Sequence, residues 1–217
     1  MKLSEGIKMK GTPAEIPDCS RDDLPQFFVD KGYKVGAEIG VYKGEFTVKL
    51  CKAGLYVFSV DPWKAYYDVL NLINPKDHVK LEASQKRQDF LFEHTKRALA
   101  SYTKQVTFVR KTSMDALLDF KDGSLDFVYI DANHNFKNVA EDICEWSKKV
   151  RSGGVVAGHD YAYNDRKPND PDVLHVKFVV DAYTRAFRVR NWFVLGEYEA
   201  KDGEKRDPYR SWMWIKE

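Results

Sequence analysis

Cysteine is scarce: Cys19, Cys51 and Cys144 are the only three, widely spaced and without a C-x-x-C pair. That excludes a disulfide framework, offers no zinc-ligand spacing and fits a reducing cytosol. Cys51 and Cys144 fall within helical apolar patterns and read as core thiols. Long apolar runs are missing too, and none approaches the roughly 20 residues that span a bilayer. Met1 to Lys10 lacks the apolar stretch of a secretory signal, so a cytoplasmic location is expected. No sign of charge dominates: 35 Lys and Arg against 33 Asp and Glu leave +2. Such balance argues against nucleic acid or an anionic membrane as the main partner. Basic clusters at Lys86-Arg87, Lys96-Arg97, Lys148-Lys149 and Arg185 to Arg190 lie on expected helices or helix ends and read as solvated faces.

What is present suits one domain. The chain has 217 residues, 43% apolar and 31% charged, ordinary values for a soluble protein with a sizeable core. Its most informative stretch is Lys34 to Leu50. Val35, Ala37 and Ile39 alternate as a buried strand, Gly40 and Gly44 bracket Val41-Tyr42-Lys43, and a helical pattern runs from Phe46. Glycines at a strand-to-helix turn permit positive φ and let a ligand approach the main chain. An acid, Asp61, ends the next apolar strand about 20 residues on, where nucleotide-binding α/β units place the carboxylate that accepts ribose hydroxyls. The dinucleotide pattern G-x-G-x-x-G is absent, because Tyr42 and Glu45 stand where its later glycines would be.

Residues 1–20, polar and carrying Pro13 and Pro17, read as a flexible N-terminal arm, leaving 21–217 as a single domain. Asp22-Asp23-Leu24-Pro25 starts a helix that Gly32 stops. Further helices are expected over Trp63 to Leu72, Ser84 to Tyr102, Lys111 to Leu118, Phe136 to Val150 and Val173 to Phe187. Strands are expected over Val106 to Arg110, Ser124 to Ile130, Val155 to Gly158, Asn191 to Gly196 and Ser211 to Lys216. Alternating strands and helices imply right-handed crossovers and a parallel sheet. Ligands of such sheets bind beyond the strands' carboxyl ends, and the polar residues there are Glu38, Asp61, Asp131, His159 and Asp160.

Three stretches then carry a family likeness: Glu38-x-Gly40-x-x-x-Gly44 with Asp61; Ile130-Asp-Ala-Asn-His134 with Phe136-x-x-Val139-x-x-Asp142-Ile143; and Gly153-Gly154-x-x-x-Gly158-His-Asp-Tyr161. Together they resemble the class I S-adenosylmethionine (SAM)-dependent methyltransferases, in the subgroup that includes macrolide and aminocoumarin sugar O-methyltransferases. The resemblance covers roughly residues 33 to 161. It implies an α/β, Rossmann-like sheet of seven mostly parallel strands in the order 3-2-1-4-5-7-6, the last antiparallel, with helices on both faces.

The same resemblance implies roles. Glu38, Gly40, Tyr42 and Gly44 would line the methionine part of SAM, Asp61 would hold the ribose with Trp63 closing over it, and Ser113 and Met114 would flank the adenine. Asp131 would sit below the sulfonium. Catechol-type and sugar-modifying relatives hold Mg²⁺ with a carboxylate ending strand four and two oxygen ligands ending strand five. Asp131 and Asp160 match two of these positions, while His159 replaces the third and suits a softer divalent cation better. His134, Asp131 and His159 are the candidate catalytic residues. His134 is the first candidate for general base and His159 the second, with a structural role the alternative for each. His78, His94 and His175 read as ordinary surface or helix residues.

The expected activity is O-methylation of a small hydroxylated acceptor, by a protein that forms a homodimer if it follows its relatives. Three other readings stand beside it. A metal-dependent hydroxylase on the same frame would use His134, His159 and Asp131 or Asp160 around iron. A non-catalytic SAM-binding module is the second. A nucleic-acid methyltransferase is the third, and the balanced charge and the missing (N/D)-P-P-(Y/F) motif weigh against it.

Overall fold

The computed structural model describes residues 3–65, 84–163, 174–199 and 201–217. Eight strands form one sheet: β1 (Ala14–Ile16), β2 (Val35–Ile39), β3 (Tyr56–Val60), β4 (Val106–Val109), β5 (Leu125–Ile130), β6 (Val150–Tyr161), β7 (Trp192–Leu195) and β8 (Arg210–Ile215). Their spatial order is β1-β7-β8-β6-β5-β2-β3-β4. Counted from Val35, this is the expected arrangement of seven strands, and β8 is the strand antiparallel to both neighbours.

The eighth strand corrects the reading of residues 1–20 as a flexible arm. Residues 3–6 form a short helix, α1 (Leu3–Gly6), and β1 pairs in parallel with β7, setting Ala14 opposite Phe193 and Ile16 opposite Leu195. Leu3, Ile16 and Cys19 are buried in the main core. Three residues between two prolines are too few to show a period of two, so only the partner strand reveals the element.

The other α-helices among the described residues are α2 (Leu24–Asp30), α3 (Glu45–Lys52), α4 (Gln85–Ala98), α5 (Ser113–Ala116), α6 (Phe136–Lys149) and α7 (Val176–Ala186). Side-chain caps mark several starts: Asn135 Oδ1 accepts from Asn138 N at 3.0 Å ahead of α6, and Ser84 Oγ from Arg87 N at 3.2 Å ahead of α4. Of the helix expected from Trp63 to Leu72, residues 66–72 lie outside those described, and residues 63–65 are not helical. Strand β6 begins earlier than expected, because Ser152-Gly153-Gly154 continues the sheet instead of only ending a helix. Gly153 N donates to Lys216 O at 2.7 Å and Lys216 N to Gly154 O at 2.8 Å.

Apolar residues fill both faces of the sheet. On one, Phe27 and Phe28 of α2 and Phe46 and Leu50 of α3 pack on Phe127, Tyr129 and Met213. On the other, Ile143 and Trp146 of α6 and Val179 and Val180 of α7 pack on Val128, Val156, Trp212 and Trp214. Each such side chain contributes about 1.5–3 kcal/mol of burial. Among the described residues no helix is long and apolar enough to cross a membrane.

Candidate active site

The site begins where β2 ends. Gly40 takes φ +86°, and a Cβ there would lie 2.1 Å from the carbonyl oxygen of Asp131. Only glycine permits strands β2 and β5 to end this close together. Gly44 caps α3 at φ +79°, and a Cβ there would stand 2.7 Å from Thr95 Cγ2 on α4. Between them the main chain of the turn is held from below. Asp61 Oδ2 accepts from Val41 N at 2.9 Å and Tyr42 N at 3.0 Å, and its Oδ1 from Trp63 N at 2.7 Å. Trp63, 1% exposed, donates its indole N–H to Tyr42 O at 3.0 Å.

Above this turn lies a cavity of about 640 Å³ at the carboxyl ends of β2 to β5. Gly40, Tyr42, Asp61, Ser113, Met114 and Asp131, among the residues singled out from the sequence, line it. Glu38, Gly44 and Trp63 do not. Trp63 packs beneath the turn against Val41 and Leu91. Glu38, 3% exposed, points into the layer under α3, where Thr47 Oγ1 donates to its Oε2 and lies 3.2 Å from Ser59 Oγ. Burial pushes the Glu38 carboxyl up to about 8, the Thr47 bond opposing and the charge of Asp131 adding to it. Near neutrality this carboxyl is largely uncharged.

At the β5 and β6 end of the cavity a second group of side chains converges. His134 Nε2 lies 2.9 Å from Asp160 Oδ2 and 3.9 Å from Asp131 Oδ1. His159 Nδ1 lies 3.4 Å from Asp160 Oδ1 and 3.9 Å from Asp131 Oδ2. Asp131, His134 and Asp160 each offer a ligand atom within 4.8 Å of the others. The three donors that meet most closely therefore include His134 in place of His159. Burial alone would lower the His134 imidazole, but the hydrogen bonds and charges of Asp131 and Asp160 outweigh it and raise it to about 9. Asp160 is drawn the other way: burial opposes ionisation, yet the two histidines hold its carboxyl well below the usual range. It also sits at φ +61°, a strained conformation for a residue with a Cβ, of the kind that gathers at functional sites.

Residues 37–161, more than half of the chain, match the family described as a methyltransferase domain. The chain belongs to that family. It is a SAM-dependent methyltransferase. No curated protein matches it at the sequence level. Among solved structures it is similar to an O-methyltransferase from Bacillus cereus in complex with SAH, at 17% identity and TM-score 0.59 over 90% of this chain and 80% of that one. It is likewise similar to the O-methyltransferase TomG from Streptomyces achromogenes, involved in tomaymycin synthesis and in complex with SAM, at 13% identity and TM-score 0.59 over 91% and 79%. The O-methyltransferase NovP matches at 18% identity and TM-score 0.56 over 90% and 77%. At these identities the likeness is one of fold.

The methyltransferase also recruits residues that the sequence did not single out. Arg21, just past the N-terminal segment, places Nη1 3.4 Å from Asp131 Oδ2, and its backbone N donates to Asp207 Oδ2 at 2.8 Å. These partners lie far apart in the chain, so no local pattern announces them. Asp142 lines the cavity from α6 while almost fully buried. Ser113 Oγ donates to it and accepts from Trp146 Nε1 at 2.7 Å. Burial pushes the Asp142 carboxyl up to about 6, against the pull of the Ser113 bond. The F-x-x-V-x-x-D-I pattern contained this residue, and an acid on the buried side of an amphipathic helix was the available signal. His175, which reads as an ordinary helix residue, accepts from Phe136 N at 3.1 Å and steadies the start of α6. His159 Nε2 is buried without a hydrogen-bond partner among the described residues, 3.9 Å from Asp207 Oδ2.

Proposed function

We propose that this methyltransferase transfers the methyl group of SAM to a hydroxyl oxygen of a small acceptor (a sugar, a phenol or a related natural product) with help from a divalent cation. The observation that carries the proposal is the double membership of Asp131, which lines the cavity and belongs to the Asp131–His134–Asp160 cluster. A methyl donor at one side of that carboxylate and an acceptor at the other would meet there.

The residues fit SAM. The cavity volume is that of a small-molecule site, and its lining offers the backbone of Gly40 and Tyr42 for the methionine part, Asp61 for the ribose, and Ser113 and Met114 beside the adenine. When bound, SAM supplies a methyl carbon already activated by positive sulfur. The chain's own work is alignment of the acceptor oxygen and management of its proton. His134 stands where that proton would go. Raised to about 9, it already holds a proton near neutrality. It becomes an acceptor only when a second positive charge offsets Asp131 and Asp160.

That requirement favours a cation between the two carboxylates, with the adjacent His159 as a further ligand and His134 left to take the proton. Two hard oxygens and an imidazole suit manganese, iron or zinc better than magnesium. A bound cation would lower the acceptor hydroxyl's pKa. One observation favours a second reading: His134 and His159 both approach Asp160, at 2.9 and 3.4 Å, the donor types of an iron hydroxylase. Balanced charge supports a small acceptor over nucleic acid.

The test is SAH release from SAM with panels of sugars, catechols, amines and thiols, with and without EDTA and added Mn²⁺ or Mg²⁺. Hydroxyl-dependent turnover that EDTA and Asp160→Asn each reduce at least about tenfold is expected. Turnover with amines or thiols alone would refute O-methylation, and turnover indifferent to EDTA and to Asp160→Asn would refute the cation.

A further inference from the structure

A second cavity, of about 610 Å³, opens beside the C-terminal half of α7, away from the SAM-type cavity, with Trp192 at its apolar wall. Its lining is strongly cationic: Lys177, Arg185, Arg188 and Arg190 face a single carboxylate, Asp181. Asp181 is already satisfied. Lys177 Nζ contacts its Oδ2 at 2.5 Å and the Tyr161 hydroxyl donates to its Oδ1 at 2.7 Å. Arg185, Arg188 and Arg190, all exposed, form no ion pair among the described residues, so three arginines line one concavity whose single carboxylate is already taken.

The negative end of the α7 dipole would account for some positive charge at this place. It does not account for the conformation of Arg188. The helix closes with Val189 N donating to Thr184 O at 2.8 Å, which makes Arg188 the residue that must turn left-handed, at φ +53°. Glycine is the usual occupant of that position, because a Cβ there costs stability. An arginine held there, lining a cavity with two others, points to a ligand whose binding repays the strain.

We propose that this cavity binds a small molecule bearing a phosphate or diphosphate group. Guanidinium groups recognise phosphate oxygens in pairs, and three of them exceed what one carboxylate would need. Trp192 would pack against the body that carries the phosphate. Tyr161, bonded to Asp181 and Lys177 here, follows directly on Asp160 in the chain but does not line the first cavity. The proposal does not depend on the methyl-transfer reading.

Titration calorimetry of the intact protein with sodium pyrophosphate, at constant ionic strength and pH 7, tests it. The wild type should bind with a sub-millimolar dissociation constant, weakened by about tenfold or more in Arg185→Ala/Arg190→Ala, the loss expected for charge-assisted bonds. Arg188→Gly separates binding from folding: its melting temperature should stay level or rise while pyrophosphate affinity falls. SAH affinity should be unchanged in both variants. Absence of saturable binding by the wild type, or equal binding by wild type and both variants, would overturn the proposal.

Discussion

Glu38 shows how burial turns a residue chosen for its charge into one without it. Glu38 was expected beside the methionine part of SAM, but the side chain lies under α3 against Thr47, and desolvation raises it to about 8. An unfolded glutamate loses its proton near pH 4.5, whereas the folded one keeps it up to about 8, so stability falls as pH climbs through that window. His134 adds to the same trend at higher pH. Its stabilisation is full below about 6.5 and is lost as pH rises through about 9. Urea unfolding at pH 5, 7 and 9 should therefore show falling stability, with a slope of at most about 1.4 kcal/mol per pH unit for each proton. Glu38→Gln should flatten the slope between pH 5 and 8, and His134→Gln the slope between pH 7 and 9. Unchanged slopes would mean that neither group titrates as its surroundings dictate. Asp131, His134 and Asp160 were legible because each ends or follows a strand. Arg21 was not, since it reaches Asp131 only through the folded path of the chain.

Elements with a clear period were legible in the same way. The strand–turn–helix of β2 and α3, the continuous apolar strand β5 and the amphipathic α6 follow from alternation, glycine placement and caps. Strand β1 was hidden by its length, and β6 by glycines that resemble a helix stop. Both hold their places by pairing with distant partners, β7 for one and the segment after β8 for the other. Two substitutions probe this scale. Ile16→Ala, at a fully buried position, should cost about 2–5 kcal/mol, as a core truncation does; a loss below 0.5 kcal/mol would restore the flexible-arm reading. Gly40→Ala forces a Cβ onto the Asp131 carbonyl at positive φ. It should lower stability by about 2 kcal/mol or more and weaken SAM binding with it. Unfolding midpoints in urea measure both.

At the scale of the whole molecule, β2 and β5 lie side by side while the chain winds outward from them in both directions. A sheet built this way leaves a crevice beyond its central strands, and the larger cavity occupies it. Its position follows from strand order, which the motifs implied. Its Asp131–His134–Asp160 end rests on contacts between the segment after β5 and the end of β6 and could be read only in part. The most direct measurement is calorimetric titration of the wild-type protein with SAH, repeated on Met114→Arg, which places a long cation in the cavity without touching the cluster at Asp160. Micromolar binding by the wild type, weakened at least about tenfold in the variant, is the predicted result. A folded wild type that gives no heat with SAH up to millimolar concentration, or a variant that binds equally well, would contradict the placement of the methyl donor on which the account rests.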